Sequence, residues 1–441
     1  MPRFAHPHGH IFYRKMAYPR PMIAHAEGVY LYDTDGKRYL DAAGGPLVIN
    51  VGHGRTEVVQ AMAEQAQTAA YTHAIMFTSQ AAEDYAEALA KIVPLPDARF
   101  FPMTSGSEVV ETAIKLSRQI QMARGEQQRT HIISRRQSYH GMSLGALSAS
   151  GRAGLRAPYL DMMKPGTHIS PPYTYRDTRS GEEYAAELEQ TILSLGAGNV
   201  AAFLAEPISG ASLGGALPPD DYWSSVRAVC DRYGVLWIAD EVLVGFGRTG
   251  KWWGHQHWHA TPDIIVTSKG AAGGYFPLGW VAARGSDVDL ISRTLGDFNH
   301  GGTFSHHPVG MAAGLAVLGI LQREQLVENA ARVGTYLGEQ LHAQLDHHPY
   351  VGNIRGRGLF WGIEWVQDKA SKQPFDVSRK LAPTLWQAAF ERGVSMYYSQ
   401  GCADGKHGDL TLIGPPLIAQ PNHVDEILTA LQLAMQDVFG K

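Results

Sequence analysis

The sequence predicts an α/β protein: a large domain on a mostly parallel central sheet, and a smaller α+β domain assembled from the N- and C-terminal segments. Three observations carry this expectation. Between residues 100 and 300, the short apolar runs His131–Ser134, Val200–Ala205, Val235–Ala239, Ile264–Thr267 and Leu278–Ala283 alternate with amphipathic helical stretches. Runs so continuously apolar belong to strands covered on both faces, and the intervening helices supply the cover. Further on, strand-like segments at Ile354–Val366 and Leu410–Ile413 stand among helices without that alternation. Finally, 441 residues that are 44% hydrophobic and 18% charged can bury more than one core. The expected division is 1–70 for an N-terminal arm and part of the small domain, 71–325 for the large domain, and 326–441 for the C-terminal small domain.

In chain order, the first 27 residues are rich in Pro and His and read as an irregular arm. A hairpin follows, Val29–Tyr32 and Arg38–Asp41, with Asp35-Gly36 as its positive-φ turn. Helical spacing of apolar residues runs over about 58–69 and 81–92, the second closed by Pro94 and Pro96. After the alternating region come a helix-rich stretch over 309–344 and helices near 380–392 and 422–438.

Composition excludes several classes of function. Thirty-eight basic against 42 acidic residues give a formal charge of −4, so no general cationic field holds a nucleic acid and any phosphate must be bound locally. Two cysteines, Cys230 and Cys402, and an N-terminus without an apolar leader fit a cytoplasmic protein. No run approaches the roughly 18 apolar residues of a membrane span.

Three local signals carry chemistry. Thr104-Ser105-Gly106-Ser107-Glu108 opens an amphipathic helix, where free backbone N–H groups, hydroxyls and the positive end of the dipole make a phosphate cradle. Asp240 ends the run Val235–Ala239, which places a carboxylate at the rim of an apolar site, where it needs a cationic partner. Lys269 follows Ile264–Ser268 and precedes Gly270, Gly273 and Gly274, so its amine can be desolvated enough to attack a carbonyl. Singly, these are an N-cap, a salt bridge and a solvated lysine. Together they offer an anion cradle, an anion for a ring nitrogen and an amine for an aldehyde, the three handles of pyridoxal phosphate.

Across nearly its full length the chain resembles the class III pyridoxal-phosphate aminotransferases. The matching segments are Gly28-Val29-Tyr30 to Asp41, Gly52-His53-Gly54, Ser105-Gly106-Ser107-Glu108, Tyr139-His140-Gly141, Glu206-Pro207, Asp240-Glu241-Val242, Gly245-Phe246-Gly247-Arg248-Thr249-Gly250, Ser268-Lys269-Gly270 and Gly301-Gly302-Thr303-Phe304. The resemblance implies fold type I of the pyridoxal-phosphate-dependent transferases and a homodimer, with a tetramer also open, whose active sites lie at the subunit interface. It implies that Lys269 joins the cofactor aldehyde and Asp240 pairs with its ring nitrogen. Tyr139 and Val242 would cover the two ring faces, Gly106 and Ser107 would hold the phosphate, and the partner subunit's Thr303 would join them. Ser105, His140 and Glu206 complete the expected cofactor contacts. The implied reaction moves an amino group from a primary amine or ω-amino acid to a keto acid such as pyruvate, in ping-pong fashion through pyridoxamine phosphate. A racemase, aminomutase or decarboxylase of the same family stays open.

Departures narrow the subclass. Relatives acting on acyl-ornithine or γ-aminobutyrate usually carry glutamine where Leu243 stands, and often an α-carboxylate-gripping arginine where Leu412 stands; both changes resemble the ω-transaminases. The mobile arginine of that subgroup is missing from Ala403-Asp404-Gly405-Lys406-His407, which leaves Lys406 as a monodentate anchor or a solvated side chain. A tryptophan frequent in the N-terminal motif is Leu47. Phe12, Tyr13, Leu47, Met76 and Phe77 fall where pocket walls are expected, or are simple packing.

Other patterns point elsewhere. Gly141-Met142-Ser143-Leu144-Gly145 and Gly210-Ala211-Ser212-Leu213-Gly214 match the nucleophile elbow of a serine hydrolase, the remote alternative, although neither serine sits directly between a strand and a helix. His6, His8 and His10, and His255, His257 and His259, have chelating spacing but no companion ligand, so they read as surface or interface histidines and no metal is expected.

Overall fold

The computed structural model describes residues 9–16, 18 and 20–440. Strands β1 (Ile23–Glu27), β2 (Tyr30–Asp33) and β3 (Arg38–Leu40) form an antiparallel meander. Its second turn is the expected one, with Gly36 at φ +82° and Asp33 Oδ1 accepting the N–H groups of Asp35 and Lys37 at 3.0 and 2.9 Å. β1 lies within the stretch read as irregular. Four of its five residues are exposed, so no buried face marks it in the sequence.

The central sheet takes β4 (Arg99–Met103), β5 (His131–Arg135), β6 (Thr167–Ile169), β7 (Val200–Ala205), β8 (Leu236–Asp240), β9 (Ile264–Thr267) and β10 (Gly279–Ala283) in the order β4-β10-β9-β8-β7-β5-β6. Only β10 runs against the others. The five expected strands are present within a residue or two. The two unannounced ones, β4 and β6, are the sheet edges; β4 contains Pro102, which an edge tolerates because its outer side needs no ladder donor, and β6 is three residues long.

Every residue of β7, β8, β9 and β10 is buried. One face packs Phe203, Ala205, Trp237 and Ala239 against the helices Gly181–Leu195 and Tyr222–Tyr233; the other packs Ala202, Leu204, Leu236, Ile238 and Val266 against Gly106–Ala123. Each of the larger aliphatic and aromatic side chains among them contributes roughly 1.5–3 kcal/mol. This double cover is why the runs are continuously apolar.

The remaining strands, β11 (Val351–Gly356), β12 (Trp361–Trp365), β13 (Tyr397–Gln400) and β14 (Asp409–Ile413), form an antiparallel sheet in the order β11-β12-β14-β13. The segment 354–366 is thus two strands, and the helix-rich stretch is two helices, Pro308–Arg323 and Leu326–Leu345. The N-terminal meander joins this C-terminal unit: Leu40 N–H donates to Gly393 O at 2.8 Å, and Ser395 N–H to Leu40 O at 2.9 Å. Arg248 is buried and donates to the carbonyls of Ile49, Leu359 and Pro415 at 3.1, 3.1 and 2.5 Å, tying three distant segments together. Burial lowers its pKa to about 10.

The helix Leu326–Leu345 meets the turn between β11 and β12 backbone to backbone, for a Cβ on Gly334 would lie 2.1 Å from the carbonyl carbon of Gly358. Neither side can retreat, because Gly358 is itself pressed on Thr249. Gly334→Ala is expected to destabilise the protein by about 3 kcal/mol, an overpacking cost, read as a lower denaturation midpoint in urea.

Candidate active site

The loops leaving β4, β5, β8 and β9 converge on the N-terminus of the helix Gly106–Ala123. A Cβ on Gly106 would meet Val242 Cγ1 at 3.2 Å and Ser268 Cβ at 3.9 Å, and one on Gly141 would meet Ser107 Oγ at 2.6 Å. The three chemical signals of the sequence therefore share one point in space. Ser105 is the N-cap, its Oγ accepting Glu108 N–H at 3.3 Å while donating to Glu108 Oε2 at 3.1 Å. Thr104 donates to the same carboxylate through both its N–H and its hydroxyl. Gly106 and Ser107, at the first helical positions, keep N–H groups without intrahelical acceptors at the positive end of the dipole. Ser107 Oγ accepts the N–H of Met142 at 3.0 Å, which ties the loop after β5 to the cradle.

Asp240 is buried at the end of β8, and the partner its position called for is His140: Nδ1 lies 2.7 Å from Asp240 Oδ2. Oδ1 accepts the N–H of Val242 at 3.0 Å. His140 is held through its backbone N–H, which donates to Ser150 Oγ at 2.8 Å, while its Nε2 is buried without a partner. Glu206, just beyond β7, accepts the N–H of Gly210 at 3.0 Å through Oε1 and leaves Oε2 buried and unpartnered; burial pushes its carboxyl pKa up.

Lys269 has a left-handed backbone, φ +35°, a conformation that costs a non-glycine residue about 1–3 kcal/mol and persists at functional sites when its surroundings fix it. They do fix it. Asn50 Nδ2 donates to Gly270 O at 2.9 Å, and Ser268 Oγ donates to Leu278 O at 2.8 Å. The Lys269 side chain is partly open to the cleft yet surrounded by enough protein that desolvation lowers its pKa from 10.5 to about 8, against the opposing pull of Asp240 and Glu206. The sequence named neither Asn50 nor Ser150 as a support; a lone polar residue after an apolar run carries no signal that it holds a loop 220 residues away.

The other candidates are placed as follows. Tyr139 stands half-exposed beside the cradle and Val242 is half-buried against Gly106. Thr303 is exposed, its carbonyl accepting the hydroxyl of Tyr71 at 3.0 Å. Phe12, Met76 and Phe77 are exposed, and Tyr13 lies under the Arg20 guanidinium. Leu47 is buried, and with Leu243 and Leu412 it belongs to one apolar cluster around Ile208, Val244 and Phe360. Three of the four departures from the family pattern are thus one packing unit. Lys406 is exposed, its backbone N–H bonded to Asp404.

The hydroxyls of Ser143 and Ser212 have no hydrogen-bond partner, so no histidine activates either as a nucleophile. His6 and His8 lie outside the described residues, and His10 is exposed. Reading His255 as a surface or interface residue is corrected: it is buried, with Nδ1 2.7 Å from Glu241 Oε1, and Glu241 also accepts the N–H groups of Gly254 and His255 at 2.7 and 2.9 Å. A buried carboxylate requires that pairing. His257 bridges Thr249 and Arg357 at 3.0 Å each, and burial beside Arg357 lowers its pKa to about 3.

Residues 13–435 match the class-III aminotransferase family. The chain belongs to it. This aminotransferase is 42% identical to an uncharacterized aminotransferase of Schizosaccharomyces pombe, over 96% of this chain and 94% of that one. It is 36% identical to the putrescine–pyruvate aminotransferase of Pseudomonas aeruginosa, over 92% and 89% of the two chains. A thermostable (S)-enantioselective omega-transaminase from Thermomicrobium roseum superposes with a TM-score of 0.89 at 38% identity, over 95% and 93% of the chains.

The lowered pKa of Lys269 gives the aminotransferase a measurable signature. Its amine is protonated below about pH 8 and free above, so reductive labelling of Lys269 by an aldehyde is expected to rise close to tenfold per pH unit up to about 8 and then level off. Asp240→Asn removes a charge that favours the ammonium and should move this inflection to lower pH, as read by peptide mapping of the labelled protein.

Proposed function

We propose that this aminotransferase works with pyridoxal phosphate in the cleft described above, transferring an amino group from a primary amine or ω-amino acid to a keto acid such as pyruvate. The observation that carries the reading is the convergence at Gly106 of an open helix N-terminus, the Asp240–His140 pair and the Lys269 amine. The unpartnered Nε2 of His140 and the glycine contact at Val242 are the buried polar atom and the close approach expected where a flat polar ring lies against protein. The relatives that use pyruvate or are named omega-transaminases support the substrate class.

Bound there, pyridoxal phosphate supplies a carbonyl for the incoming amine and a ring that withdraws electrons from its Cα–H bond. The chain does the rest. Gly106 and Ser107 N–H groups, with the Ser107 hydroxyl, hold the phosphate at the positive end of the helix, while Ser105 caps that helix through Glu108. Asp240, oriented by His140 and the Val242 N–H, keeps a proton on the ring nitrogen. Tyr139 and Val242 cover the ring faces and exclude water. Lys269 Nζ takes the Cα proton as base and returns it as acid, which a pKa near 8 suits at neutral pH.

The active form is a cytoplasmic homodimer in which the partner subunit's Thr303 completes the phosphate site. The exposed apolar side chains Phe12, Ile75, Met76, Phe77 and Phe304 support a surface that a second subunit covers. No helix among the described residues is long and apolar enough to cross a membrane.

Two measurements test the reading. Purified protein given an amine donor and pyruvate should form alanine. Lys269→Ala should lower that rate roughly 10⁴-fold or more, while retaining the cofactor only non-covalently, seen as loss of its borohydride-reducible attachment. Normal turnover by the variant rejects the assignment.

A further inference from the structure

Beside the cleft, next to the loop that lacks an arginine, lies a cavity of about 160 Å³ lined by Gln137, Arg152, Ser212, Gln400, Gly401 and Gly405. Gln137 Nε2 donates to the carbonyls of Gly401 and Cys402 at 3.2 and 3.0 Å and Gln400 Nε2 to Asp409 Oδ1 at 3.0 Å, which leaves Arg152 and Ser212 as the lining residues with donors to spare. Arg152 makes only two long hydrogen bonds, both from Nη2, to Ser399 Oγ at 3.4 Å and Gln400 O at 3.3 Å; among the described residues no carboxylate lies within 4 Å of its guanidinium. Ser212 is buried and its Oγ has no partner. A half-buried guanidinium with no carboxylate in contact, beside a buried hydroxyl without a partner, offers donors that a carboxylate entering the cavity can take. Burial lowers the Arg152 pKa; Tyr397, Tyr139 and Glu206 pull against that shift and the charge of Arg14 adds to it.

Both donors lie on segments that are also tied to the cleft. Arg152 follows Ser150-Gly151: Ser150 Oγ holds His140, and Gly151 N–H donates to Ser138 O at 3.0 Å. Ser212 sits in the loop anchored where Gly210 N–H reaches Glu206 at 3.0 Å, and Gly214 N–H returns to Gly210 O at 2.8 Å. The alternatives are poorly placed, Leu412 being buried in an apolar cluster and Lys406 exposed outside the cavity lining.

We propose that Arg152, assisted by the Ser212 hydroxyl, grips the carboxylate of the acidic substrate, whether keto acid or ω-amino acid. The planar guanidinium offers the paired donors that a lysine lacks. This subsite rests on the transamination proposed above and takes over the part of the absent loop arginine. Its ligand is a carboxylate carried by a substrate, not the cofactor phosphate, which has its own cradle.

The test compares the two half-reactions of the cofactor-loaded protein in single-turnover mode, with benzylamine as a donor free of carboxylate and with pyruvate and 2-oxoglutarate as acceptors. The dissociation constant of glutarate, measured by calorimetry, is the readout that needs no turnover. Arg152→Met should raise the keto-acid and glutarate constants at least tenfold more than the benzylamine constant. Arg152→Lys should recover part of that loss, and Ser212→Ala should show a smaller shift in the same direction. Equal changes for benzylamine and keto acids, no change in glutarate affinity, or the same pattern from Lys406→Ala would overturn the subsite. Alanine formation by the unsubstituted protein is measured first, so failure of the transaminase reading is seen separately from failure of the subsite.

Discussion

A carboxylate enclosed at the end of a strand with no exposed residue must be compensated where it stands, and the contact between Asp240 and His140 does this. Much else follows from it. Ser150 holds the backbone of His140 in place, and the loop carrying both is wedged against Ser107 at Gly141. On the other side, Asp240 fixes Val242, which abuts Gly106. The anion cradle, the acid and the face of the cleft are therefore set by one buried pair and its backbone supports.

The sheet converts this local pairing into a site. Because β10 turns back between β9 and β4, pairing Gly279 with Met103 and Trp280 with Thr267, the end of β4 and the end of β9 lie two strand spacings apart, about 10 Å. The lysine loop and the helix start are thus brought side by side from segments 160 residues apart in sequence, and Ser268 comes to rest on Gly106. The strained backbone at Lys269 is held through its two neighbours, Ser268 bonded to Leu278 and Gly270 to Asn50.

How much of this the sequence discloses depends on the physics behind each feature. The central strands are legible because burial on both faces writes a continuous apolar run, as in Val200–Ala205. The edge strands are not, since β4 keeps a proline and β1 faces solvent. Asp240 and Lys269 stand out as charged residues ending apolar runs, but Asn50, Ser150 and Arg152 lie in loops whose meaning comes only from what the fold brings near. Glu241 is instructive in another way. Adjacent to Asp240, it belongs to the same motif, yet it points into the scaffold and clamps Gly254 and His255, so neighbouring acids divide chemistry from architecture. Leu47, Leu243 and Leu412 look like three independent departures along the chain and are one contiguous patch in space.

The wedge at Gly106 also constrains how such an enzyme can diversify. A Cβ on that glycine would stand 3.2 Å from Val242 Cγ1 and 3.9 Å from Ser268 Cβ, so a side chain there presses first on Val242, the residue whose N–H Asp240 holds. Away from that contact the constraint relaxes: in the loop 401–408, Asp404 and Lys406 are exposed, and a change of charge there leaves the packing around Gly106 untouched.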